Sequence, residues 1–358
     1  MFFLVSFFLI IPHCRPSFAF LPLVSSKITE ETGWQKADEG NGGLYYADVK
    51  IECEVVAKAG AADKFLRNIA EITKTSSIHA ALNINEITDY AIDLALEYGS
   101  PVVSCDSRQV FKEMKIGTAP PSLEQLERVK HYFIFSHSVT DIYTAGRYEI
   151  EALELLEELF KKHSKVVMAG GSGLYIDALC NGLDDFPAAD QALRKELSDK
   201  AATPDGLAEL VAKLQEIDPD AAGFVDLQNR QRVVRAVEVT LQTGKRFSEW
   251  RQNRKKDRPF TIRKIGLTRH RDELYDRINR RVDIMMEQGL LAEVESLLPY
   301  REMPALQTVG YKEIFEYFDG KITLDKAVEL IKRNSRRYAK KQLTYWGRDK
   351  EIVWQNLS

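Results

Sequence analysis

The sequence predicts an α/β fold built on a doubly wound parallel sheet, because short β-branched runs alternate with amphipathic helical segments from about Thr88 onward. Two of the predicted strands run into unusual turns, residues 104–107 (SCDS) and residues 170–173 (GGSG). Ligands of such sheets bind at the carboxyl ends of the strands. The sequence therefore predicts a ligand site where these two turns meet.

Apolar periodicity places the individual elements of this fold. The core elements are a helix over residues 88–98, strands over 101–104 and 132–135, a helix over 148–163, a strand over 165–169, a helix over 174–180 and a strand over 261–268. Residues 187–227 have the polar, mostly helical pattern of an insertion, and helices dominate from Arg271 to the end.

The composition excludes several classes of protein. With 44% hydrophobic and 29% charged residues over 358 positions, the chain is neither collagen-like nor wholly disordered. The four cysteines lie far apart and form no C-x-x-C pair, which excludes a zinc module and a disulfide framework. Scarce cysteine favours a reducing compartment.

The first 87 residues do not follow the α/β pattern. Residues 1–24 form an apolar leader whose core, residues 2–11, has the length of a signal-peptide core and is shorter than the roughly 20 residues of a membrane span. No Lys or Arg precedes that core, so a mis-assigned start or a fused upstream sequence is the competing interpretation. Residues 25–87 are unassigned, with a strand pattern over 44–56 and a helical pattern over 61–73.

Both turns carry candidate chemistry. Asp106, at a strand end, can accept a proton from a bound substrate, although it can also simply cap the following turn. The glycines of residues 170–173 permit close backbone approach at a helix N-terminus, where anions bind. The alternative for those glycines is a tight strand-to-helix turn without a ligand.

Positive charge is concentrated in the second half of the chain. Residues 245–281 hold fourteen Lys and Arg against five Asp and Glu, a local net charge of +9 in a protein whose total is −3. A second basic cluster lies within residues 332–341. The interleaved aromatic residues are Phe247, Trp250, Tyr338, Tyr345 and Trp346. Such faces suit the phosphates and unstacked bases of RNA, and a solvated helix face is the alternative.

Several segments in this order resemble the tRNA dimethylallyltransferases, also called tRNA isopentenyltransferases. They are SCDSRQVFKEMKIGTAPP at residues 104–121, VMAGGSGLYIDAL at 167–179, NRQRVVRAVEVTLQTGK at 229–245, GLTRHRDELYDRINRRVD at 266–283, VGYKEI at 309–314 and RRYAKKQLTYW at 336–346. The resemblance covers about residues 88–354. It implies a sheet of the phosphate-loop NTPase type, with an α/β core over 88–186, a helical tRNA-binding insertion over 187–228, and a core return with basic helices over 229–358.

The resemblance also implies a reaction and its residues. The family transfers a dimethylallyl group from its diphosphate to the exocyclic amine of the adenine 3′ to the anticodon. Asp106 matches the general base, and Ser172 stands where the family usually has Thr. The positions that match tRNA contacts are Asp106, Ser107, Arg108, Gln109, Arg194, Gln231, Arg232, Val233, Val234 and Arg235.

The implied partners are a tRNA anticodon stem-loop, dimethylallyl diphosphate and Mg²⁺, with no metal ligands assigned. A monomer without a membrane partner is expected, in the cytoplasm. An organellar or exported protein is the alternative if residues 1–24 are a real signal.

The sequence departs from the family at the phosphate loop, G-P-T-x-x-G-K-[ST]. Aligning the first core helix puts Thr88 at the hydroxyl position, Ile87 at the Lys and Glu86 at the Gly, and no such loop occurs in the chain. Thr88 is thus the one remaining residue of the phosphate loop, on the side of the site where the diphosphate would bind. Three interpretations follow: a transferase with impaired activity, an inactive RNA-binding remnant or the product of a gene-model error, and, last, a kinase on a related phosphate-loop fold.

Overall fold

A computed structural model of the chain describes residues 7–12, 86–252 and 254–356. Strand residues 7–12 and the residues from Ile87 onward belong to one compact unit. The strand predicted over 44–56 and the helix predicted over 61–73 lie outside the described residues. Within the described part, no helix combines the length and apolarity needed to cross a membrane.

The elements are numbered in chain order over the described residues. The strands are β1 (Phe7–Pro12), β2 (Val102–Ser104), β3 (His131–Tyr132), β4 (Lys165–Gly170), β5 (Arg263–Thr268) and β6 (Ile352–Asn356). The helices of the first half are α1 (Glu86–Tyr98), α2 (Leu123–Arg128), α3 (Ala145–Phe160), α4 (Gly173–Asn181), α5 (Gln191–Lys200) and α6 (Pro204–Ile217). Those of the second half are α7 (Pro219–Phe224), α8 (Arg230–Thr243), α9 (Phe247–Trp250), α10 (Arg271–Glu287), α11 (Leu290–Ser296), α12 (Tyr311–Phe318) and α13 (Leu324–Trp346).

The described strands form one sheet in the order β3-β2-β4-β1-β5-β6. β2 is parallel to β3 and β4, and β5 is parallel to β6. β1 lies between β4 and β5 and runs antiparallel to both, so that Leu9 pairs with Met168 on one side and Lys264 on the other. The predicted α/β class is confirmed, and the strand from the apolar leader runs against its neighbours.

Helices cover both faces of the sheet, as a doubly wound fold requires. Because successive strand residues point to opposite faces, Met168 packs in the cluster with Tyr148 and Leu156 of α3. Its neighbour Val167 packs in the opposite cluster with Ile92 of α1. The carboxyl ends of β2 and β4 are therefore held between two apolar layers.

Two predicted boundaries shift for local reasons. The strand predicted over residues 132–135 ends after Tyr132, because Phe133 and Phe135 have φ angles of 59° and 51°, which a β-strand cannot accommodate. The helix predicted over 148–163 begins at Ala145, since the Thr144 side chain accepts a hydrogen bond from the Arg147 N–H and caps its N-terminus.

Helices α5 to α8 form a helical lobe (residues 191–243). Its apolar cluster includes Leu197 of α5, Leu210 and Leu214 of α6, and Val233 and Val237 of α8. The predicted insertion is thus helical, and its core continues past residue 228 into α8. This shared core orients the first turn of α8 relative to α5.

Deleting residues 1–12 tests the contribution of β1 to the sheet. Without this strand the facing edges of β4 and β5 lose their backbone partners in the middle of the sheet, at about 1–3 kcal/mol for each buried group left unpaired. We expect the truncated protein to aggregate or to melt at least about 10 °C lower, by circular dichroism and size-exclusion chromatography.

The matched control lacks residues 1–5, which precede β1. An equal loss of stability in this control, or melting of the longer deletion at the temperature of the full chain, would contradict a structural role for β1.

Candidate active site

The two predicted turns do meet. β2 and β4 are parallel neighbours in which Ser104 pairs with Ala169, and the Cys105 N–H donates to the Ala169 carbonyl at 2.8 Å. Gly170 lies directly against this junction, because a Cβ at that position would sit 2.6 Å from the Cys105 carbonyl carbon. A larger residue at 170 would push the two strand ends apart.

Asp106 follows β2 and is 2% exposed. Its Oδ1 accepts hydrogen bonds from the Arg108 N–H at 2.5 Å and the Gln109 N–H at 3.0 Å. Its Oδ2 is buried and has no hydrogen-bond partner among the described residues. The capping role predicted for Asp106 is therefore observed at Oδ1. The Oδ2 atom has a free acceptor position, which is compatible with the predicted role as a base.

The environment of Asp106 raises its pKa. Burial is the main cause, because it penalises the charged carboxylate, and the hydrogen bonds from the Gln109 and Arg108 backbone oppose it only in part. A carboxylate with a raised pKa binds a proton more strongly than an ordinary one does. The site is thus suited to proton abstraction.

Ser172 joins the glycine-rich turn to the Asp106 turn. Its Oγ accepts a hydrogen bond from the Ser107 N–H at 2.8 Å and donates to the Ser107 Oγ at 3.0 Å. Ser172 occupies the N-cap position of α4 but makes no capping bond there. Its hydroxyl is used to hold the residue next to Asp106 instead of capping its own helix.

Buried aromatic rings form one wall of this region. Tyr148 and Tyr175 are stacked, with ring centroids 4.5 Å apart, and the Tyr148 hydroxyl donates to the Ser104 carbonyl at 3.1 Å. Burial raises the pKa of both phenols, so both stay neutral. Sequence patterns did not single out these tyrosines, because their spacing is that of ordinary core positions in α3 and α4.

The residues after Asp106 are anchored on the protein. The Gln109 amide, 4% exposed, donates from Nε2 to the Ala119 carbonyl at 3.0 Å. Arg108 donates from Nη1 to the Pro304 carbonyl at 3.4 Å, and its buried Nε has no partner among the described residues. Burial lowers the pKa of Arg108, although nearby Asp106 opposes this.

A cavity reaches from the start of α1 to the carboxyl ends of β2 and β4. The residues around it are Ile87, Thr88, Ala91, Val102, Ser104, Gln109, Pro121, His131, Ile134, Ala169 and Gly170. Thr88, predicted on the diphosphate side, therefore lines the same space as Ser104 and Gln109, which lie two residues before and three residues after Asp106 in the chain.

In the helical lobe, Arg194 and Arg235 share one buried carboxylate. Glu238 is fully buried, with Oε2 at 2.8 Å from Arg194 Nη2 and Oε1 at 3.1 Å from Arg235 Nη1. Arg235 also donates from Nη2 to the Pro187 carbonyl at 3.0 Å. These guanidinium groups hold α5, α8 and the chain that enters the lobe, and their side chains remain 35% and 28% exposed.

The other positions predicted to contact tRNA in this helix divide into two groups. Gln231 and Arg232 are exposed on the first turn of α8. Val233 and Val234 are 0% and 5% exposed and belong to the lobe core. Their side chains are therefore unavailable at the surface, and the predicted contact of this segment depends on Gln231, Arg232 and Arg235.

Part of the +9 charge is neutralised inside the protein. Arg258 is 8% exposed, pairs with Glu149 at 2.7 Å and donates to the Leu179 and Ala178 carbonyls at the end of α4. Lys264 is 7% exposed and lies 2.7 Å from Asp349. The sequence count therefore overstates the charge available to RNA, because it cannot see partners distant in the chain.

Replacing Glu238 by Gln tests the ionic core of the lobe. The change leaves two neighbouring guanidinium groups without their shared buried counter-ion, so we expect a loss of about 3 kcal/mol in the free energy of unfolding, measured by urea denaturation. The control is Glu216→Gln, which removes an exposed pair with Lys213 and costs about 0.5 kcal/mol or less. Equal effects of the two changes would contradict the structural role of Glu238.

Comparison with known proteins assigns the chain to a family. Residues 109–349 match the family model described as IPP transferase. A tRNA dimethylallyltransferase 1 of Bacteroides thetaiotaomicron is 51% identical over 267 residues, which cover 75% of this chain and 86% of the relative. A tRNA dimethylallyltransferase 2 of Porphyromonas gingivalis is 50% identical, over 75% of this chain and 89% of its own length.

Solved structures agree with these relatives. The full-length tRNA isopentenylpyrophosphate transferase of Bacillus halodurans is 35% identical, with a TM-score of 0.53 over 75% of this chain and 85% of that one. A eukaryotic dimethylallyltransferase acting on tRNA is 25% identical, with a TM-score of 0.58 over 75% of this chain and 70% of that one. The resemblance inferred from the sequence is confirmed, and the chain belongs to the tRNA dimethylallyltransferase family.

Proposed function

We propose that this protein transfers a dimethylallyl group from dimethylallyl diphosphate to the exocyclic amine of the adenine 3′ to the anticodon of a tRNA. The observation that carries the proposal is the buried Oδ2 of Asp106, which has no partner among the described residues and belongs to the turn that follows β2. Ser104 and Gln109, on either side of this turn in the chain, line the cavity. The family relatives, named as tRNA dimethylallyltransferases, support the reaction class.

The proposed step needs a base beside a poor nucleophile. The adenine amine attacks C1 of the dimethylallyl group, the bond from C1 to the diphosphate oxygen breaks, and the amine proton passes to Asp106 Oδ2. The adenine has to leave its stack to reach a buried carboxylate, which favours an anticodon loop as the substrate. Tyr148 and Tyr175 are themselves buried, at 1% and 6% exposure, so the neighbourhood of the β2 carboxyl end is largely dry.

We further propose that Mg²⁺ enters with the diphosphate. The described residues contain no group of three or more His, Cys, Asp and Glu side chains that could hold a metal ion. This donor set does not fit a metal site made by the protein alone, whereas Mg²⁺ commonly combines few protein ligands with substrate phosphates. No step above is routed through the ion.

The absence of the phosphate-loop motif from the sequence lowers the rate of transfer that we expect. Its Lys and backbone N–H groups would stabilise the departing diphosphate, and the loss of one such donor lowers kcat by about 10²–10³. We therefore propose a slow transferase. The same observation favours the second candidate function, an RNA-binding protein without transfer.

For either function we propose a cytoplasmic monomer, with an organellar location as the alternative, since both compartments contain tRNA.

The first test replaces Asp106 by Asn and measures transfer to an anticodon stem-loop with dimethylallyl diphosphate and Mg²⁺. We expect transfer by the unmodified chain to fall as the pH drops through the raised pKa of Asp106, a limb above the ordinary aspartate range. The Asn variant loses about 10²–10⁴ in kcat and this limb with it.

The stability of the same variant is the control. A carboxyl with a raised pKa holds its proton more tightly in the folded state, so its contribution is favourable at low pH and is lost as the pH rises through that pKa. At neutral pH the Asn variant should therefore melt no lower than the unmodified chain. Salt-dependent binding of the stem-loop without transfer would select the RNA-binding function, and neither binding nor transfer would reject both.

Ser172 is tested by two substitutions that differ in the hydroxyl. Ser172→Thr keeps the acceptor for the Ser107 N–H and should retain transfer within about three-fold, whereas Ser172→Ala removes it and should lower kcat by about ten-fold or more. Single-turnover rates with saturating stem-loop measure the difference. Equal rates for the two variants would show that the bridge to Ser107 does not serve the reaction.

A further inference from the structure

The last helix, α13, reaches under the glycine-rich turn. Gln342 is 5% exposed and donates from Nε2 to the Gly171 carbonyl at 2.9 Å, across 171 positions of sequence. One turn further, the Tyr345 ring covers Gly173, where a Cβ would lie 2.9 Å from the ring. The Tyr345 hydroxyl donates to Asp177 of α4. Two side chains of α13 thus contact the turn on either side of Ser172.

We propose that Gln342 is a positioning residue for the transfer, acting on Asp106 through the turn of residues 170–173; this rests on the proposed function. The Gln342 amide holds the Gly171 carbonyl, and the next residue, Ser172, accepts the Ser107 N–H at 2.8 Å. Ser107 directly follows Asp106. The helix therefore sets the location of the carboxylate without touching the substrate.

The energetics of Gln342 argue for a role in geometry. Its Oε1 is buried with no partner among the described residues, which costs free energy that an apolar side chain of similar size would avoid. Its Nε2 bond offsets part of that cost. An amide at this position therefore adds little net stability, and its distinct effect is to fix one carbonyl of the turn.

The position of the Ser172 hydroxyl depends on how firmly the backbone of the turn is held. It bridges to Ser107 by side-chain geometry alone and makes no bond to its own helix. A shift of its backbone would therefore move the bridge, and a displacement of about 1 Å in a reacting group can cost about a hundred-fold in rate. Gln342 and Tyr345 restrain that backbone from α13.

The experiment compares Gln342→Met, which preserves length without the amide, with Thr344→Ala, a control on an exposed face of the same helix. Gln342→Leu is the second variant should the Met variant fold poorly. Amide hydrogen exchange, read by mass spectrometry on the peptide over residues 104–110, reports the Ser107 N–H, and Ser172→Ala serves as the reference for a lost bridge.

We expect the Met variant to melt as the unmodified chain does while the Ser107 amide exchanges about ten-fold faster, as in Ser172→Ala. With stem-loop RNA, kcat should fall about ten-fold or more with KM for the RNA unchanged. The Thr344→Ala protein should match the unmodified chain in every measurement.

Three results would overturn the proposal: unchanged exchange at Ser107, equally faster exchange in β5, which would indicate general loosening, or faster exchange with unchanged kcat. Absence of transfer by the unmodified chain would instead reject the proposed function. In that event the exchange measurement alone still decides whether Gln342 orders the turn.

Discussion

The hydrogen bond from the Ser107 N–H to the Ser172 Oγ joins segments that are 65 residues apart and come from two neighbouring strands. It forms only because β2 and β4 are parallel and in register, so that their carboxyl ends leave the sheet together. Gly170 allows the close approach, and α13 restrains the turn from the far end of the chain. The position of Asp106 depends on all of these contacts, because among the described residues its side chain accepts hydrogen bonds from its own turn, from the Arg108 and Gln109 N–H groups.

Two polar side chains of the candidate active site lower the stability of the folded protein. Asp106 disfavours the folded state at neutral pH, because its buried carboxylate has a raised pKa and its Oδ2 has no partner among the described residues. Gln342 Oε1, which likewise has no partner within the described part of the chain, adds to this cost. The apolar layers on both faces of the sheet and the stacked tyrosines offset these costs around the site. Buried polar groups that lack hydrogen-bond partners are typical of functional sites.

The fold buries and pairs some of the basic residues, so the net charge counted from the sequence overstates the positive charge at the surface. Arg258 and Lys264 belong to the basic segment, yet both are nearly buried and paired with acidic residues far away in sequence. In the helical lobe, Glu238 forms ion pairs with two arginines that are predicted to contact tRNA. Any RNA contact by those arginines would therefore involve groups whose orientation is already set by an internal carboxylate.

The sequence alone determined the class of fold, most helix and strand positions, the family and the two turns, since these follow from periodicity and from motifs that are local in the chain. The capping bonds of Asp106 could also be predicted from its place after a strand. The tertiary structure decided that Phe133 ends a strand, that Val233 and Val234 are buried, and that β1 runs antiparallel within the sheet. It also decided which charges are paired and that Gln342 reaches the turn. Such features arise from contacts between residues distant in sequence, and no local pattern records which of them will touch.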